Sequence, residues 1–286
     1  MNEPILEMKN ISKNFGSVIA LKNVNLEVYP GEIRGLIGEN GSGKSTISSI
    51  AAGMQKASAG EIMFKGKKWE PSSMIDALQN GIGMVVQESG TIAGVTVAEN
   101  MFLAELVQFK NKFGLISKNK MNQKATEAMK AIGVSNVTGD MNMMTLDFQT
   151  RKLVEIAKVI MKNPEILVID ETSTALSQDG REIMYKLIRK FRDNGKAVIF
   201  ISHDLEEIME VCDTLTVLRD GTLIRTFQKE EFDADKIRTS MIGRELQGDY
   251  YRSDFTPSSQ TETALTANNL KYREELKSVD LVLKKG

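Results

Sequence analysis

A run of nine residues near the start of the chain, GENGSGKST at 38–46, constrains the fold more than any other feature. Its glycines allow consecutive backbone N–H groups to point at one anion. Lys44 adds an ammonium group, and the hydroxyl of Ser45 is an oxygen ligand of the kind that Mg²⁺ takes. An apolar run at 33–37 precedes these residues, and a helical pattern at 47–52 follows them. The sequence therefore predicts a strand, a phosphate-binding loop and a helix whose N-terminus faces the phosphates, rather than a chance glycine-rich loop.

Composition limits the classes of protein to which the chain can belong. The 286 residues suffice for one large domain or two small ones, with the apolar and charged fractions of a globular protein. A net charge of −1 gives no indication of a nucleic-acid-binding surface. Cys212 is the single cysteine, so no disulfide can form within the chain and a reducing compartment is expected. The start does not match a signal peptide, and no apolar run approaches the ~20 residues that span a bilayer, so any membrane role is expected to come through a partner.

The end of the chain repeats part of its beginning. Residues 276–286 match 21–31 in leucines, a lysine, a valine and the final glycine, and 265–270 match 6–11. We therefore expect a first domain at 1–246, a polar linker at 247–263, and the truncated start of a second, homologous domain at 264–286. The alternative is a coincidence between two β-rich segments.

Polar residues at the ends of apolar runs are candidates for chemistry. Asp170 and Glu171 follow one such run, His203, the single histidine, follows a second, and Gln87 ends a third. Because α/β folds bind ligands at the carboxyl ends of their parallel strands, these side chains are expected beside the phosphates. Each also has a structural interpretation: the two acids as solvated turn residues, the histidine as a satisfied core residue, and the glutamine as a cap.

Together these motifs resemble the ATP-binding-cassette (ABC) ATPase family over residues 5–246. The resemblance implies an α/β fold, with a P-loop NTPase (ABC ATPase) core, an antiparallel β subdomain and an inserted α-helical subdomain at about 88–161. It implies ATP and Mg²⁺ as cofactors. The helical subdomain would dock on membrane subunits. Its predicted helices at 97–106 and 121–132 carry more apolar positions than one buried face needs, although internal packing would also account for them.

The site residues of the family carry over one by one. Phe15, otherwise a candidate core aromatic, would stack on adenine. Glu171 would polarise the attacking water, and His203 would stabilise charge at the γ-phosphate in the transition state. Gln87 would contact the same water and would hold Mg²⁺ together with Ser45 and Asp170. The nucleotide would be bound by the following loop residues: Asn40, Gly41, Ser42, Gly43, Lys44, Ser45 and Thr46.

Shorter matches point to one branch of the family. Residues 38–41, 154–158, 201–204 and 217–221 resemble the monosaccharide importers of the ribose, galactose and xylose type, whose ATPase subunit carries two cassettes in one chain. The resemblance implies transmembrane permease subunits and a second cassette as partners, and a periplasmic or extracellular sugar-binding protein as an indirect one. It implies a peripheral location on the cytoplasmic face of the cell membrane.

Three other functions stay open at this point. Related cassettes serve importers of nucleosides and other small solutes. A soluble tandem cassette that acts on ribosomes or DNA is a second possibility, but the near-zero net charge counts against a nucleic-acid partner. A nucleotide-binding regulator without turnover is the third.

One motif departs from the family pattern. Where the family has Leu-Ser-Gly-Gly-Gln, this chain has Leu146, Asp147, Phe148, Gln149 and Thr150, unless the alignment has slipped. In the family this loop binds the γ-phosphate of the opposite cassette, so Asp147 would face an anion with an anion. Two unit charges about 4 Å apart repel by about 4 kcal/mol at an effective dielectric of ~20, which exceeds the ~1 kcal/mol of a good hydrogen bond. We expect the site that this loop serves to be impaired.

Overall fold

The computed structural model describes residues 3–86, 90–243, 262–273 and 276–285. They belong to two compact units that divide between residues 244 and 245. Gln87 and residues 247–261 of the expected linker lie outside the described residues. Within the described ranges, no helix combines the length and the apolar character needed to cross a membrane.

The strands of the first unit are numbered β1 to β10, and those of the second unit β11 and β12. Their bounds are β1 Leu6–Phe15, β2 Val18–Val28, β3 Ile33–Ile37, β4 Ala59–Phe64, β5 Lys67–Lys68, β6 Ile82–Val85, β7 Ile166–Asp170, β8 Ala197–Ile201, β9 Thr214–Arg219, β10 Thr222–Gln228, β11 Thr263–Tyr272 and β12 Leu276–Lys284. The α-helices of the described residues lie in the first unit. Their bounds are α1 Lys44–Ala51, α2 Met74–Asn80, α3 Val97–Phe102, α4 Lys118–Ala131, α5 Phe148–Ile160, α6 Gln178–Asp193, α7 Leu205–Val211 and α8 Ala234–Ile242.

A six-stranded sheet forms the centre of the first unit, in the order β10-β9-β3-β8-β7-β6. Five of its strands run parallel, and β10 closes one edge antiparallel to β9. Strands β3, β6, β7 and β8 are buried at every position. This burial explains why they read in the sequence as continuous apolar runs rather than as alternating patterns.

The two faces of this sheet pack against different layers. Side chains alternate along a strand, so Leu167 and Ile169 of β7 belong to one apolar cluster and Ile166 and Val168 to another. The first cluster includes residues of α3 to α7. The second includes residues of α1 and of a four-stranded antiparallel sheet, ordered β2-β1-β4-β5. The predicted α/β core with an antiparallel β subdomain is confirmed.

A helical segment is inserted between β6 and β7, where the sequence predicts the helical subdomain. Helix α3 begins with a capping box in which Thr96 and Glu99 each accept from the other's backbone N–H. The predicted helix at 97–106 is wrong in its second half, because α3 ends at Phe102 and a 3₁₀ helix follows at Leu103–Phe109. The predicted helix at 121–132 corresponds to α4.

The second unit is a hairpin that reproduces the pairing of β1 with β2. Leu6 pairs with Val28, and the corresponding Leu265 pairs with Leu283. Further along, Ile11 pairs with Val24, and Leu270 with Val279. The register shifts on either side of Ile11 correspond to those on either side of Leu270. The shared register supports the interpretation of residues 264–286 as a repeat of the chain's beginning.

The two hairpins differ in burial. Leu6 is fully buried by the rest of its unit, whereas Leu265 is 52 % exposed. Two strands alone cannot enclose an apolar face, so the second unit presents to solvent the residues that its counterpart buries.

Candidate nucleotide-binding site

The loop between β3 and α1 requires glycine at two positions. Gly43 precedes α1 with φ of 103°, and a Cβ there would lie 2.6 Å from Leu21 Cδ2. Gly38 has φ of 159°, and its Cβ would lie 2.1 Å from the carbonyl oxygen of Leu218. Glycine at these positions lets the loop turn tightly into the helix. The N-terminal N–H groups of α1 are thereby available to an anion.

Lys44, the first residue of α1, is buried within this loop. Its Nζ donates to the carbonyl oxygens of Gly38, at 2.8 Å, and Glu39, at 3.1 Å. Burial lowers the pKa of Lys44, and the nearby carboxylates of Glu171 and Asp170 oppose this effect. The ammonium group is therefore held at the centre of the loop by two weak acceptors, which phosphate oxygens can replace with stronger, charged ones.

Ser45 and Asp170 bring two oxygen ligands together. Asp170 is the last residue of β7, and its Oδ1 accepts from Ser45 Oγ at 3.3 Å. Burial raises the pKa of Asp170, while the hydrogen bond from Ser45 lowers it. A hydroxyl and a buried carboxylate at the end of the loop fit Mg²⁺, which takes oxygen ligands and binds through one or two carboxylates together with substrate phosphates.

Glu171 and His203 approach each other from the ends of two neighbouring strands. Strands β7 and β8 are paired in parallel, so the residues that follow them meet at one edge of the sheet. His203 Nδ1 lies 3.8 Å from Glu171 Oε2. The His203 side chain is 57 % exposed, whereas that of Glu171 is largely buried. Glu171 has φ of 42° and ψ of 32°, in the left-handed region, and its N–H donates to Ile201 O at 3.0 Å.

A cavity of about 480 Å³ opens over the loop. Sequence reasoning missed part of its wall, which consists of Val18, Ile19 and Ala20 at the start of β2. The signal that would have found it is the pair of β-branched residues, Val18 and Ile19, directly after the turn residues Gly16 and Ser17. The other residues that line the cavity are Asn40, Gly41, Gly43, Lys44, Ser45, Thr46 and Glu171.

The other described residues of the predicted site do not line this cavity: Phe15, Ser42, Asp170 and His203. Phe15 pairs with Val18 across the β1–β2 turn, is 47 % exposed, and has Lys13 Nζ 5.0 Å from its ring centroid. Ser42 is buried, and its N–H donates to Glu39 O at 3.1 Å. Gln87 lies outside the described residues.

The departing motif at 146–150 forms the N-terminus of α5. Asp147 is the N-cap, and its Oδ1 accepts from Thr150 N at 2.7 Å. Hydrogen bonds from Thr150 lower the pKa of Asp147, so its carboxylate is charged at neutral pH. Phe148 is exposed. The half-buried Gln149 links α5 to the start of α6, because its Oε1 accepts from Ser177 N at 2.5 Å.

Helix α5 is also tied to the residue that precedes Gln87. Lys152 is buried, and its Nζ donates to Val86 O at 2.9 Å and to Glu155 Oε2 at 2.7 Å. Sequence reasoning missed this lysine, because a charged residue in a helix usually lies on the solvated face.

The parallel sheet, the inserted helices and the chemistry of the loop together are those of a nucleotide-binding cassette. Comparison with known families agrees: the family model described as ABC transporter matches residues 21–174. The chain therefore belongs to the ABC transporter family, as its motifs predict.

Curated relatives of this chain are named as import proteins. The chain is 37 % identical over 284 residues to the "Ribose import ATP-binding protein RbsA" of Caldanaerobacter subterraneus subsp. tengcongensis, covering 99 % of this chain and 56 % of that protein. It is also 37 % identical over 283 residues to the "Galactose/methyl galactoside import ATP-binding protein MglA" of Clostridium perfringens, covering 99 % and 54 %. The chain thus spans about half the length of the curated relatives it matches.

Solved structures support the same fold. The ADP conformation of MJ1267, described as an ATP-binding cassette of an ABC transporter, matches with a TM-score of 0.71 and 26 % identity, over 84 % of this chain and 99 % of that one. A dimeric bacterial ABC transporter cassette, MJ0796, matches with a TM-score of 0.68 and 27 % identity, over 79 % and 100 %.

Proposed function

We propose that this chain binds and hydrolyses ATP to energise the import of a sugar across the cytoplasmic membrane. The observation that carries the proposal is the convergence of the loop, Lys44 and Glu171 on one cavity, with His203 3.8 Å from Glu171. Bound triphosphate would take Lys44 Nζ away from the carbonyls that now hold it. The names of the ribose and galactose import relatives support sugar as the solute.

The side chains at the strand ends fit hydrolysis. Glu171 lines the cavity, and its carboxylate is a suitable base for a water in line with the γ-phosphate. The imidazole of His203, beside that carboxylate, is a donor for the negative charge that develops on the phosphoryl oxygens. Mg²⁺, held by Ser45 and Asp170 and, by family resemblance, Gln87, would neutralise phosphate charge and orient the reacting group.

Exposed apolar residues in the helical segment support docking on membrane subunits. Val107 is 73 % and Phe113 is 87 % exposed, and Leu103 and Leu115 are more than half exposed. Such a concentration of large apolar side chains on a soluble surface is typical of a protein interface. We propose transmembrane permease subunits as the partners of this surface, with the chain peripheral on the cytoplasmic face.

Two further partners belong to the proposal. The repeated hairpin, and the length of the curated relatives, of which this chain spans about half, support a second cassette. The names of the import relatives support an indirect link to a periplasmic or extracellular sugar-binding protein. A nucleotide-binding regulator without turnover is the second candidate, favoured by the charged Asp147 at the N-terminus of α5.

The test compares wild type with Glu171→Gln in the assembled transporter. The variant should keep ATP affinity but lose turnover at least a hundredfold, because an amide can hydrogen-bond the water but is a far poorer base. Glu182→Gln, an exposed carboxylate of α6, is the matched control and should turn over like wild type.

The competing functions give different results in the same assay. Wild-type turnover in Glu171→Gln would assign the base to another residue. ATP binding without turnover in wild type would favour the regulator. Stimulation by a nucleoside instead of a sugar, or co-purification with ribosomes instead of permease subunits, would contradict sugar import.

A further inference from the structure

A buried carboxylate outside the nucleotide cavity connects the two segments that carry Glu171 and His203. Glu207 lies in the first turn of α7 and is 6 % exposed. Its carboxylate accepts from three hydroxyl groups: Ser173 Oγ at 2.8 Å, Ser202 Oγ at 2.5 Å and Tyr185 Oη at 2.6 Å. An ionised carboxylate is costly to bury unless several donors compensate for lost water. These three donors hold the carboxylate at a fixed place.

Two of the donors belong to the segments that follow β7 and β8. Ser173 lies two residues after Glu171, and Ser202 lies directly before His203. Both donate to the same oxygen, Glu207 Oε2. Beyond the backbone bond from Glu171 N to Ile201 O, this one atom links the two segments through their side chains and limits how far apart they can lie.

Further bonds anchor this atom to the helices behind the sheet edge. Tyr185 of α6 donates to the other oxygen, Oε1, and burial together with the Glu207 carboxylate raises the tyrosine pKa, so the phenol stays protonated. Ser202 Oγ also accepts from Asp204 N at 3.0 Å, and Asp204 caps α7. The carboxylate thus joins α6, α7 and both strand ends.

We propose that Glu207 is a positioning residue for ATP hydrolysis, which sets the separation of Glu171 and His203 by hydrogen-bonding both of their segments through one oxygen. The inference rests on the proposed function, because it assumes that these two residues act on ATP. It does not place Glu207 in contact with the nucleotide, since Glu207 does not line the cavity. Its loss should therefore affect the chemical step and leave ATP binding intact.

The principal variant is Glu207→Gln, compared with Glu206→Gln in the assembled transporter. Glu206 lies in the same turn of α7 but is exposed, so its variant removes the same charge from the same helix without touching the network. We expect kcat to fall at least tenfold in Glu207→Gln, with KM for ATP within twofold of wild type, and no change in Glu206→Gln. An unchanged kcat, or a loss confined to KM, would overturn the inference.

A second readout does not depend on turnover. Amide hydrogen exchange of the whole chain should accelerate in Glu207→Gln at residues 171–177 and 202–206 together, and in neither for Glu206→Gln. Exchange at wild-type rates in both segments would overturn the inference. If wild type shows no ATP turnover, the proposed function fails, but the exchange experiment still decides whether Glu207 joins the two segments.

A third pair of variants covers the case in which Glu207→Gln does not fold. Ser173→Ala and Ser202→Ala each remove one donor to the shared oxygen. Because either loss releases the link, the double variant should lose less kcat than the product of the two single losses. Losses that multiply would show that the two segments are held independently.

Discussion

The charge at the N-terminus of α5 gives a prediction whose size can be worked from the structure. Replacing Asp147 by serine removes a carboxylate that hydrogen bonds from Thr150 keep ionised. Serine is about as good an N-cap as aspartate, so its hydroxyl should take over the bond from Thr150 N. The free energy of unfolding should change by less than about 0.5 kcal/mol. The variant therefore changes charge at nearly constant structure.

The expected gain comes from the repulsion removed. In a head-to-tail pair of cassettes, family resemblance puts Asp147 against the γ-phosphate of the other copy. A separation of about 4 Å costs about 4 kcal/mol at an effective dielectric of ~20, and the N-terminal dipole of α5 acts on the phosphate equally in parent and variant. The removal of ~4 kcal/mol corresponds to about a thousandfold in affinity at each of the two sites in such a pair.

The assay is size-exclusion chromatography with light scattering, with and without ATP–Mg²⁺, on chains that carry Glu171→Gln to preserve the nucleotide. We expect the parent to stay monomeric and Asp147→Ser to dimerise with ATP. Asp233→Ser is the matched control, because Asp233 caps α8 in the same way and its carboxylate also has a lowered pKa. A stable ATP-dependent dimer of the parent would refute the argument, as would equal gains from both serine variants.

Restoring the whole family motif is harder to interpret, because it changes a structural hydrogen bond as well as the charge. The set Asp147→Ser, Phe148→Gly, Gln149→Gly and Thr150→Gln should also strengthen dimerisation. However, Gln149 Oε1 accepts from Ser177 N, the cap residue of α6, and glycine would leave that N–H without its partner. Part of any gain would be lost to this local cost, of about 1 kcal/mol because Ser177 is exposed and water can take the bond.

Two further predictions concern the loop and the docking surface. Lys44→Ala should abolish ATP binding, because it removes the main cation facing the β- and γ-phosphates, and ATP affinity within threefold of wild type by calorimetry would contradict that role. Crosslinks from the assembled transporter should join permease subunits to residues 88–106 and to the exposed apolar residues that follow at 107–115, and crosslinks confined to 233–244 would contradict the docking surface.

The core sheet could be predicted because burial on both faces leaves a signal in the sequence. Strand β7 reads as an apolar run, and its end determines where Asp170 and Glu171 lie. The loop at 38–46 could be predicted for a similar reason, since only glycine fits a position such as Gly38, where a Cβ would meet the Leu218 carbonyl. In both cases the local conformation or burial restricts which residue types fit, so the residue types indicate the structure.

Contacts between distant segments left no such signal. The 3₁₀ helix at Leu103–Phe109 has the apolar content of a continued α-helix, but Glu105 departs from helical geometry and pairs with Lys162 beyond α5. Glu207 looks like any acid in a first helical turn until the fold brings Ser173 to it across 34 residues. Such roles depend on tertiary packing, which composition and spacing do not encode.

The backbone conformation at Glu171 lowers the stability of the fold at a residue that is also the proposed catalytic base. A left-handed conformation costs a side chain such as glutamate roughly 1 kcal/mol, and the bond from its N–H to Ile201 O helps to hold it there. Asparagine tolerates this conformation better, so Glu171→Asn should make the cassette more stable while removing the proposed base. Selection for folding alone would therefore favour asparagine here, and under the proposed role of Glu171 the gain in activity offsets the strain.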